Sequence, residues 1–201
     1  MINTIIFDLG GVLIDWNPYH LYRKVFNNDD EIRDFLASVC TPDWNEEQDA
    51  GRSLKNGTDI LVAKHPDHED NIRLFYNRWE EMLGGAIDET VTIFKQLKDS
   101  GKYKIYALTN WSEETFVLTK ARYEFLSWFD GIVVSGTEKI RKPYPEFYKI
   151  LLDRYHVNPE EALFIDDSAR NVEGAENLGI SSIHFTSAAE LKNELISRGI
   201  L

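Results

Sequence analysis

Aspartates at the ends of short apolar runs are the residues of this chain best suited to chemistry. Asp8 ends an apolar run near the start of the chain and precedes a Gly10-Gly11 turn, and a second apolar run ends in Asp166-Asp167. Carboxylate oxygens are hard ligands, and Mg²⁺ in proteins is commonly bound by one or two of them together with water and substrate phosphate. The three aspartates therefore indicate a site where a divalent cation offsets their mutual repulsion.

Three further polar groups follow other apolar runs and complement these carboxylates. Thr109 and Asn110 follow one run, and Lys142 lies in the basic and proline-containing segment 141–145. A lysine ammonium, a threonine hydroxyl and the Asn110 backbone N–H can all donate to phosphoryl oxygens, where charge must be stabilised. An aspartate such as Asp8 can attack phosphorus and form an aspartyl-phosphate that water then hydrolyses. This combination predicts phosphoryl transfer.

Positioning these groups requires strands that end at one edge of a sheet. Apolar and β-branched runs predict strands near 4–8, 103–108, 131–135, 163–166 and 181–185. Helical patterns separate the later strands, as in 89–100, which ends at Gly101. This alternation predicts a doubly wound α/β fold with a parallel sheet, in which residues just past the strand ends converge on one crevice.

The segment 16–83 interrupts this alternation. It is helical in pattern, rich in aromatic and acidic residues, and contains no predicted core strand. Because it leaves directly after the first strand, it is expected to emerge at the catalytic edge as a cap, with the core formed by 1–15 and 84–201. Its tryptophans are expected mainly in the cap's own apolar core, and Trp16 and Arg52 are the candidates for substrate contact.

Composition narrows the choice of partners. The 201 residues contain 34 acidic and 22 basic side chains, and the net charge of -12 disfavours nucleic acids and anionic membranes. A single cysteine excludes an internal disulfide, and no apolar run is long enough to span a bilayer. Without a recognisable secretory signal, a cytoplasmic protein acting on a small-molecule phosphate ester is expected. The composition does not decide the oligomeric state.

Taken in order, the polar segments resemble the four motifs of the haloacid dehalogenase (HAD) superfamily. They are Asp8 with its glycine turn, Thr109-Asn110, Lys142-Pro143-x-Pro145 and Asp166-Asp167-Ser168-x-x-Asn171. The resemblance implies a Rossmann-like α/β fold of strand order 3-2-1-4-5 with a small α-helical cap inserted after the first strand. Within the superfamily, the glycine turn and the segments 164–168 and 174–180 are most similar to sugar phosphatases of the α-D-glucose-1-phosphate phosphatase kind.

The same resemblance implies roles for individual residues. Asp8 and Lys142 would be catalytic, and Thr109, Asn110 and Lys142 would bind the substrate phosphate. Mg²⁺ would be bound by Asp8, the main-chain carbonyl of Gly10, Asp167, and Asp166 directly or through water. Asn171 would either orient Lys142 or face solvent. The charged neighbours Glu138, Lys139 and Arg141 are expected to be solvent-exposed.

One position departs from the family pattern. HAD phosphatases usually carry a second aspartate two residues after the nucleophile as general acid and base, and here that residue is Gly10. Glycine keeps the main-chain carbonyl for the metal but cannot transfer a proton, a function typically worth about 10²–10⁴-fold in rate. Either the leaving group needs little protonation, as in an anomeric phosphate, or a cap residue or water supplies the proton.

Two other functions compete with a phosphatase. A 2-haloacid dehalogenase would use the same aspartate without metal, but such relatives carry Ser-Ser-Asn-type residues where this chain has Asp166-Asp167-Ser168. A non-catalytic, phosphate-binding regulatory relative would explain Gly10, but it would not require Asp8, Lys142 and the acidic pair.

Overall fold

A parallel sheet of five strands forms the centre of the computed structural model, which describes residues 1–201. The strands of the chain are β1 (Thr4–Phe7), β2 (Ile14–Trp16), β3 (Leu83–Ala86), β4 (Lys104–Thr109), β5 (Gly131–Val134), β6 (Ala162–Asp166) and β7 (Ser181–His184). The central sheet has the order β5-β4-β1-β6-β7, which is 3-2-1-4-5 when its own strands are counted along the chain. The predicted α/β class is confirmed.

Helices connect and cover these strands. The α-helices are α1 (Tyr19–Tyr22), α2 (Asp29–Ser38), α3 (Pro42–Asp49), α4 (Leu54–Lys64), α5 (Glu69–Asn77), α6 (Asp88–Asp99), α7 (Glu113–Lys120), α8 (Ser135–Glu138), α9 (Pro145–Tyr155), α10 (Ala169–Glu176) and α11 (Ala188–Ser197). Short 3₁₀ segments occupy Pro66–His68, Trp79–Met82, Glu124–Trp128 and Pro159–Glu161. None of the helices combines the length and apolarity needed to cross a bilayer.

The central strand β1 explains why the polar groups share one edge. All four of its residues are buried, as expected for a strand covered on both faces of a parallel sheet. In the parallel register Phe7 lies opposite Ala107 of β4 and Ile165 of β6. The residues that follow on all three strands therefore lie together at the carboxyl end of the sheet.

A two-stranded antiparallel ribbon, which the sequence did not predict, joins the two ends of the inserted segment. Residues of β2 pair with β3, and Asp15 lies opposite Gly85. The two strands are short, and β3 contains two glycines, so neither gives a strand signal in the sequence. A Cβ on Gly84 would lie 2.1 Å from Asp15 Oδ2, so a larger residue there would displace the Asp15 side chain. The expected boundary at Gly84-Gly85 is thus inside a strand.

Helices α1–α5, which lie between β2 and β3 along the chain, enclose an aromatic cluster. The ring of Tyr22 packs edge-on against Phe35 with centroids 5.1 Å apart, and Trp44 packs in the same way against Phe75 at 5.1 Å. The indole N–H of Trp44 donates to the Gly57 carbonyl at 2.9 Å. Because Trp44 and Trp79 are both buried, the assignment of these tryptophans to an apolar core is confirmed.

Candidate active site

Lys142 lies at the centre of the polar groups beyond the sheet. Its ammonium is fully buried, 3.0 Å from Asp8 Oδ2 and 2.6 Å from Asp166 Oδ2. It also donates to the Leu108 carbonyl at 2.9 Å, so its three donors have three acceptors. Burial lowers the pKa of this lysine, but Asp166 and Asp8 outweigh burial and the net shift is upward. The lysine therefore remains charged between the two aspartates.

Asp166 is held by a set of donors. Its Oδ1 accepts from the Ser168 backbone N–H at 2.8 Å and from Asn171 Nδ2 at 3.1 Å, and the same amide lies 3.2 Å from Oδ2. Asn171 is buried and contacts the carboxylate that holds Lys142, so it does not face solvent. Donors from the protein therefore already surround the Asp166 carboxylate.

The three aspartates have the chemistry and spacing of a hard-cation site. One carboxylate oxygen from each of Asp8, Asp166 and Asp167 lies within 4.8 Å of the others. A single lysine leaves this group with excess negative charge, which fits Mg²⁺. Burial raises the pKa of Asp8, with Lys142 opposing it, and burial and Asp166 raise the pKa of Asp167. A bound divalent cation would lower both pKa values.

Glycine at position 11 is required by the close approach of Asp167. Its φ is +72°, and a Cβ built on it would lie 2.2 Å from Asp167 Oδ2. The turn after β1 therefore brings the Asp167 carboxylate, which follows β6, directly against the backbone at Gly11. Asp8 is oriented in the same loop, because its Oδ1 accepts from the Leu9 N–H at 2.7 Å while Oδ2 faces Lys142.

Thr109 and Asn110 differ in how their side chains are used. Thr109 is fully buried, and its hydroxyl has no hydrogen-bond partner in the protein. The Asn110 amide donates from Nδ2 to the Lys142 carbonyl at 3.0 Å and accepts on Oδ1 from the Lys142 N–H at 2.8 Å. The free hydroxyl suits a phosphate oxygen, whereas the Asn110 side chain fixes the backbone of Lys142. No pattern in the sequence indicates this role of the Asn110 side chain.

A cavity of about 580 Å³ is lined by Asp8, Asn110 and Asp167 on one side and by residues of the inserted helices on the other. Its lining combines the acidic groups with an apolar wall that includes Trp16, Tyr19, Leu36 and Phe75. Trp16, a candidate for substrate contact, thus lines the cavity. Arg52 does not line it, because its guanidinium donates to Gln48 Oε1 at 2.6 Å and to the Trp44 carbonyl at 3.1 Å.

Glu46 of α3 connects the inserted helices to the core at the rim of this cavity. It pairs with Arg141 at 2.7 Å and with Arg170 of α10. Only 12% of the Arg141 side chain is exposed, so the expectation of solvent exposure is wrong for this residue. It is also wrong for Glu138, which is 18% exposed and pairs with Arg154 at 2.9 Å.

The prediction of an exposed side chain holds for Lys139, 59% of which is accessible to solvent. The partners of Arg141 and Glu138 lie far away in the sequence, so local charge patterning could not identify them.

A family model described as haloacid dehalogenase-like hydrolase matches residues 2–179. The chain belongs to this family. The expected HAD membership and hydrolase class are thereby confirmed.

Relatives of this HAD-family chain include named phosphatases. Sesquiterpene phosphatase astK of Aspergillus oryzae is 27% identical over 191 residues, which cover 94% of this chain and 93% of that protein. The phosphorylated carbohydrates phosphatase of Thermotoga maritima is 27% identical over 194 residues, covering 90% of this chain and 83% of that protein.

The fold is shared with a solved HAD-family structure. HAD family enzyme bt-2542 of Bacteroides thetaiotaomicron, solved with magnesium and inorganic phosphate, matches with a TM-score of 0.66 and 22% identity. The match covers 92% of this chain and 95% of that one.

Proposed function

We propose that this HAD-family hydrolase is a Mg²⁺-dependent phosphatase of small phosphorylated metabolites that uses Asp8 as its nucleophile. The observation that carries this proposal is the position of the Asp8 carboxylate, 3.0 Å from the fully buried ammonium of Lys142 and clustered with Asp166 and Asp167. A nucleophilic carboxylate, a fixed cation and further acidic oxygens meet at the end of the sheet. This is the set that phosphoryl transfer through an aspartyl-phosphate requires.

Each residue has a defined part in the proposed reaction. Asp8 attacks phosphorus, and the ester oxygen leaves with the bonding electrons. Lys142 opposes the upward shift in the pKa of Asp8 and holds its carboxylate in place, and the Thr109 hydroxyl and the Asn110 backbone N–H donate to phosphoryl oxygens. Water then attacks the phosphoryl group, which releases phosphate and regenerates the carboxylate.

The proposed metal ligands are Asp8, Asp167 and the Gly10 carbonyl, with Asp166 contributing directly or through water. Mg²⁺ in this position would supply positive charge that lets an anionic ester approach Asp8. The three protein carboxylates offer only oxygen donors, which is the ligand type that Mg²⁺ prefers.

The substrate class rests on the cavity and on the relatives. We infer that residues 16–83 act as a cap, because the apolar wall contributed by Trp16, Tyr19 and Leu36 lies over the acidic groups. Asn17, Asn45 and Thr41 add amide and hydroxyl groups to the same cavity. A cavity of about 580 Å³ with both kinds of lining suits a small metabolite, and a sugar phosphate is the finer hypothesis.

A phosphate-release screen tests this function. Sugar phosphates, prenyl phosphates, nucleotides and small acid phosphates are incubated with the protein in Mg²⁺ or in EDTA. Phosphate release is expected only with Mg²⁺, and Asp8→Asn should abolish it, whereas the exposed Asp153→Asn control should not. Activity in EDTA or full activity of Asp8→Asn contradicts the proposal. Metal-independent chloride release from 2-chloropropionate would support a dehalogenase, and phosphate binding without turnover would support a regulatory protein.

A further inference from the structure

The loop after β1 leaves an open space where a side chain two residues beyond the nucleophile would lie. A Cβ built on Gly10 has no neighbour closer than Trp111 Cζ3 at 4.0 Å, and Gly10 is not among the glycines with positive φ. Glycine is thus not demanded by sterics or by backbone conformation at this position. A small cavity of about 80 Å³ borders Gly10 and Trp111.

Asp49, the last residue of α3, lines this small cavity. It is the only carboxylate among the lining residues, and it also lines the larger cavity that contains Asp8 and Asp167. The space left by Gly10 therefore borders a cavity that one acid from the inserted helices also lines.

We propose that Asp49 is the general acid and base of the reaction and replaces, from the inserted helices, the side chain that Gly10 lacks. This inference rests on the proposed phosphatase function and adds a catalytic residue to it.

A hydrogen-bond relay fixes the Asp49 carboxyl. Asn45, one turn earlier on α3, donates from Nδ2 to Asp49 Oδ2 at 3.1 Å. Tyr76 of α5 donates its hydroxyl to Asn45 Oδ1 at 2.9 Å and accepts from Gln48 Nε2 at 3.0 Å. The relay ties two helices to one carboxyl group, which is what a positioned acid needs.

The end of α3 is held close to the core by a glycine contact. Gly51 has a φ of +96°, and a Cβ on it would lie 2.3 Å from Lys139 Cδ and 3.1 Å from the Gly136 carbonyl of α8. Only glycine allows this approach. The end of α3, where Asp49 lies, is therefore held against the segment that follows β5.

The charges around Asp49 suit proton transfer near neutral pH. Burial raises the pKa of Asp49 to about 7, and Glu46 on the same helix also raises it. The Ser112 backbone N–H, Arg141 and Lys142 face it from the core and lower its pKa. Tyr76, on α5, stays protonated because burial raises the pKa of its phenol. A carboxyl with a pKa near the working pH can both give and take a proton.

The proton and bonds balance over the two steps. In the first, Asp8 bonds to phosphorus, the P–O bond to the leaving group breaks, and protonated Asp49 gives its proton to the departing oxygen. In the second, water bonds to phosphorus, the bond from phosphorus to Asp8 breaks, and the Asp49 carboxylate takes the water proton. Asp49 ends in the state in which it began.

Asp49→Asn tests this role through the dependence on the leaving group. For alkyl or sugar esters, kcat/KM is expected to fall about 10²–10⁴-fold. For 4-nitrophenyl phosphate, whose leaving group needs no proton, kcat/KM should change little while kcat falls and nitrophenolate appears in a burst. The limb near pH 7 that is expected in the pH–rate profile of the wild type should be absent from that of Asp49→Asn.

A second substitution that restores activity provides a further test of the role of Asp49. Because Gly10 has room for a side chain, Gly10→Asp in the Asp49→Asn background should restore a large part of the activity on alkyl esters. The matched control is Asp43→Asn, an exposed acid on the same helix, which should behave as wild type.

If Asp49→Asn keeps the wild-type dependence on the leaving group and the wild-type pH profile, Asp49 is not the general acid and base. The proposed phosphatase function would not be affected by that result. If Asp49→Asn does not fold, Asp49→Glu is measured instead and must shift the limb near pH 7 in the pH–rate profile. An unchanged limb would show that Asp49 is not the general acid and base. A wild-type protein that hydrolyses no phosphate ester would remove both proposals.

Discussion

Lys142 and Asp166 form an ion pair of 2.6 Å in which both side chains are completely buried. A buried pair adds little net stability, because desolvation offsets its attraction, but loss of one partner leaves an uncompensated charge in the interior. Here the same ammonium also faces Asp8 at 3.0 Å. The pair therefore connects the stability of the core to the charge of the proposed nucleophile.

Lys142→Met is expected to destabilise the protein by about 3–5 kcal/mol, because Asp8 and Asp166 would lose their buried cation. Phosphatase activity should be lost with it. Urea unfolding monitored by circular dichroism measures the effect, and the exposed Lys149→Met on α9 provides the control. Equal unfolding midpoints for the two variants would show that the buried ion pair has no such role.

Thr109→Val should separate function from stability. The buried Thr109 hydroxyl has no protein partner, so valine removes no hydrogen bond and stability should stay equal or rise. Loss of a donor to a charged phosphate oxygen is expected to lower kcat/KM about 10–100-fold, because hydrogen bonds to charged groups contribute about 1.5–3 kcal/mol.

Thr119→Val is the matched control for Thr109→Val, because the Thr119 hydroxyl donates to the Thr115 carbonyl at 3.0 Å. This control should lose about 0.5–1.5 kcal/mol of stability and keep its activity. The opposite ranking, with Thr109→Val destabilised and fully active, would contradict the assigned phosphate contact.

The sheet and its strand order could be predicted because strong local signals and a topological rule act together. Apolar runs mark strands such as β1 and β6, and parallel strands bring their carboxyl ends to one edge. That rule alone predicts that Asp8, Lys142 and the acidic pair lie in one region.

The remaining features depend on contacts between distant segments, which periodicity does not report. The ribbon of β2 and β3 has short strands, one of them with two glycines, and its pairing joins residues near 15 with residues near 85. Arg141 is mostly buried only because Glu46, from the inserted helices, meets it. Asp49 belongs to no sequence motif, and its proposed role follows only from the cavity that it lines together with Gly10.

Gly11→Ala should disturb the proposed Mg²⁺ site more than it strains the backbone. Alanine at a φ of +72° costs about 1–2 kcal/mol, and its Cβ would collide with Asp167. Gly101→Ala is the control, since its φ is +64° but no atom lies within 4 Å of the new Cβ. Calorimetric titration with Mg²⁺ should show weaker binding for Gly11→Ala alone. Equal Mg²⁺ affinity in both variants would remove Asp167 from the proposed ligand set.

Asp49 should leave a pH signature in stability as well as in rate. Its folded pKa, about 7, is above its ordinary value of 3.8, so the folded state binds more protons between these pH values. Stability from this group is therefore greatest below about pH 4 and is lost as pH rises to about 7, at about 1.4 kcal/mol per pKa unit.

With chelator present, the free energy of unfolding of Asp49→Asn should rise relative to that of wild type as pH increases from 4 to 7. The difference between the two proteins should level off above pH 7. Urea unfolding at a series of pH values measures this difference. Asp43→Asn should run parallel to wild type. A constant difference between Asp49→Asn and wild type across this range would exclude the raised pKa.

Glu46→Gln is expected to loosen the contact between α3 and the core. Arg141, which is 12% exposed, would keep its charge but lose its carboxylate partner, and Arg170 would lose the same partner. Loss of charged hydrogen bonds of this kind costs about 1–3 kcal/mol. Limited proteolysis should cut α3 faster, and the exposed Glu47→Gln should behave as wild type.

The same substitution also tests the electrostatics of Asp49. Glu46 raises the pKa of Asp49, and Arg141, which lowers it, would no longer be neutralised by Glu46. Both changes act in one direction, so the pH limb assigned to Asp49 should move to lower pH in Glu46→Gln. A pH–rate profile on an alkyl phosphate measures the limb. Movement to higher pH would show that the carboxyl responsible does not lie beside Glu46 and Arg141.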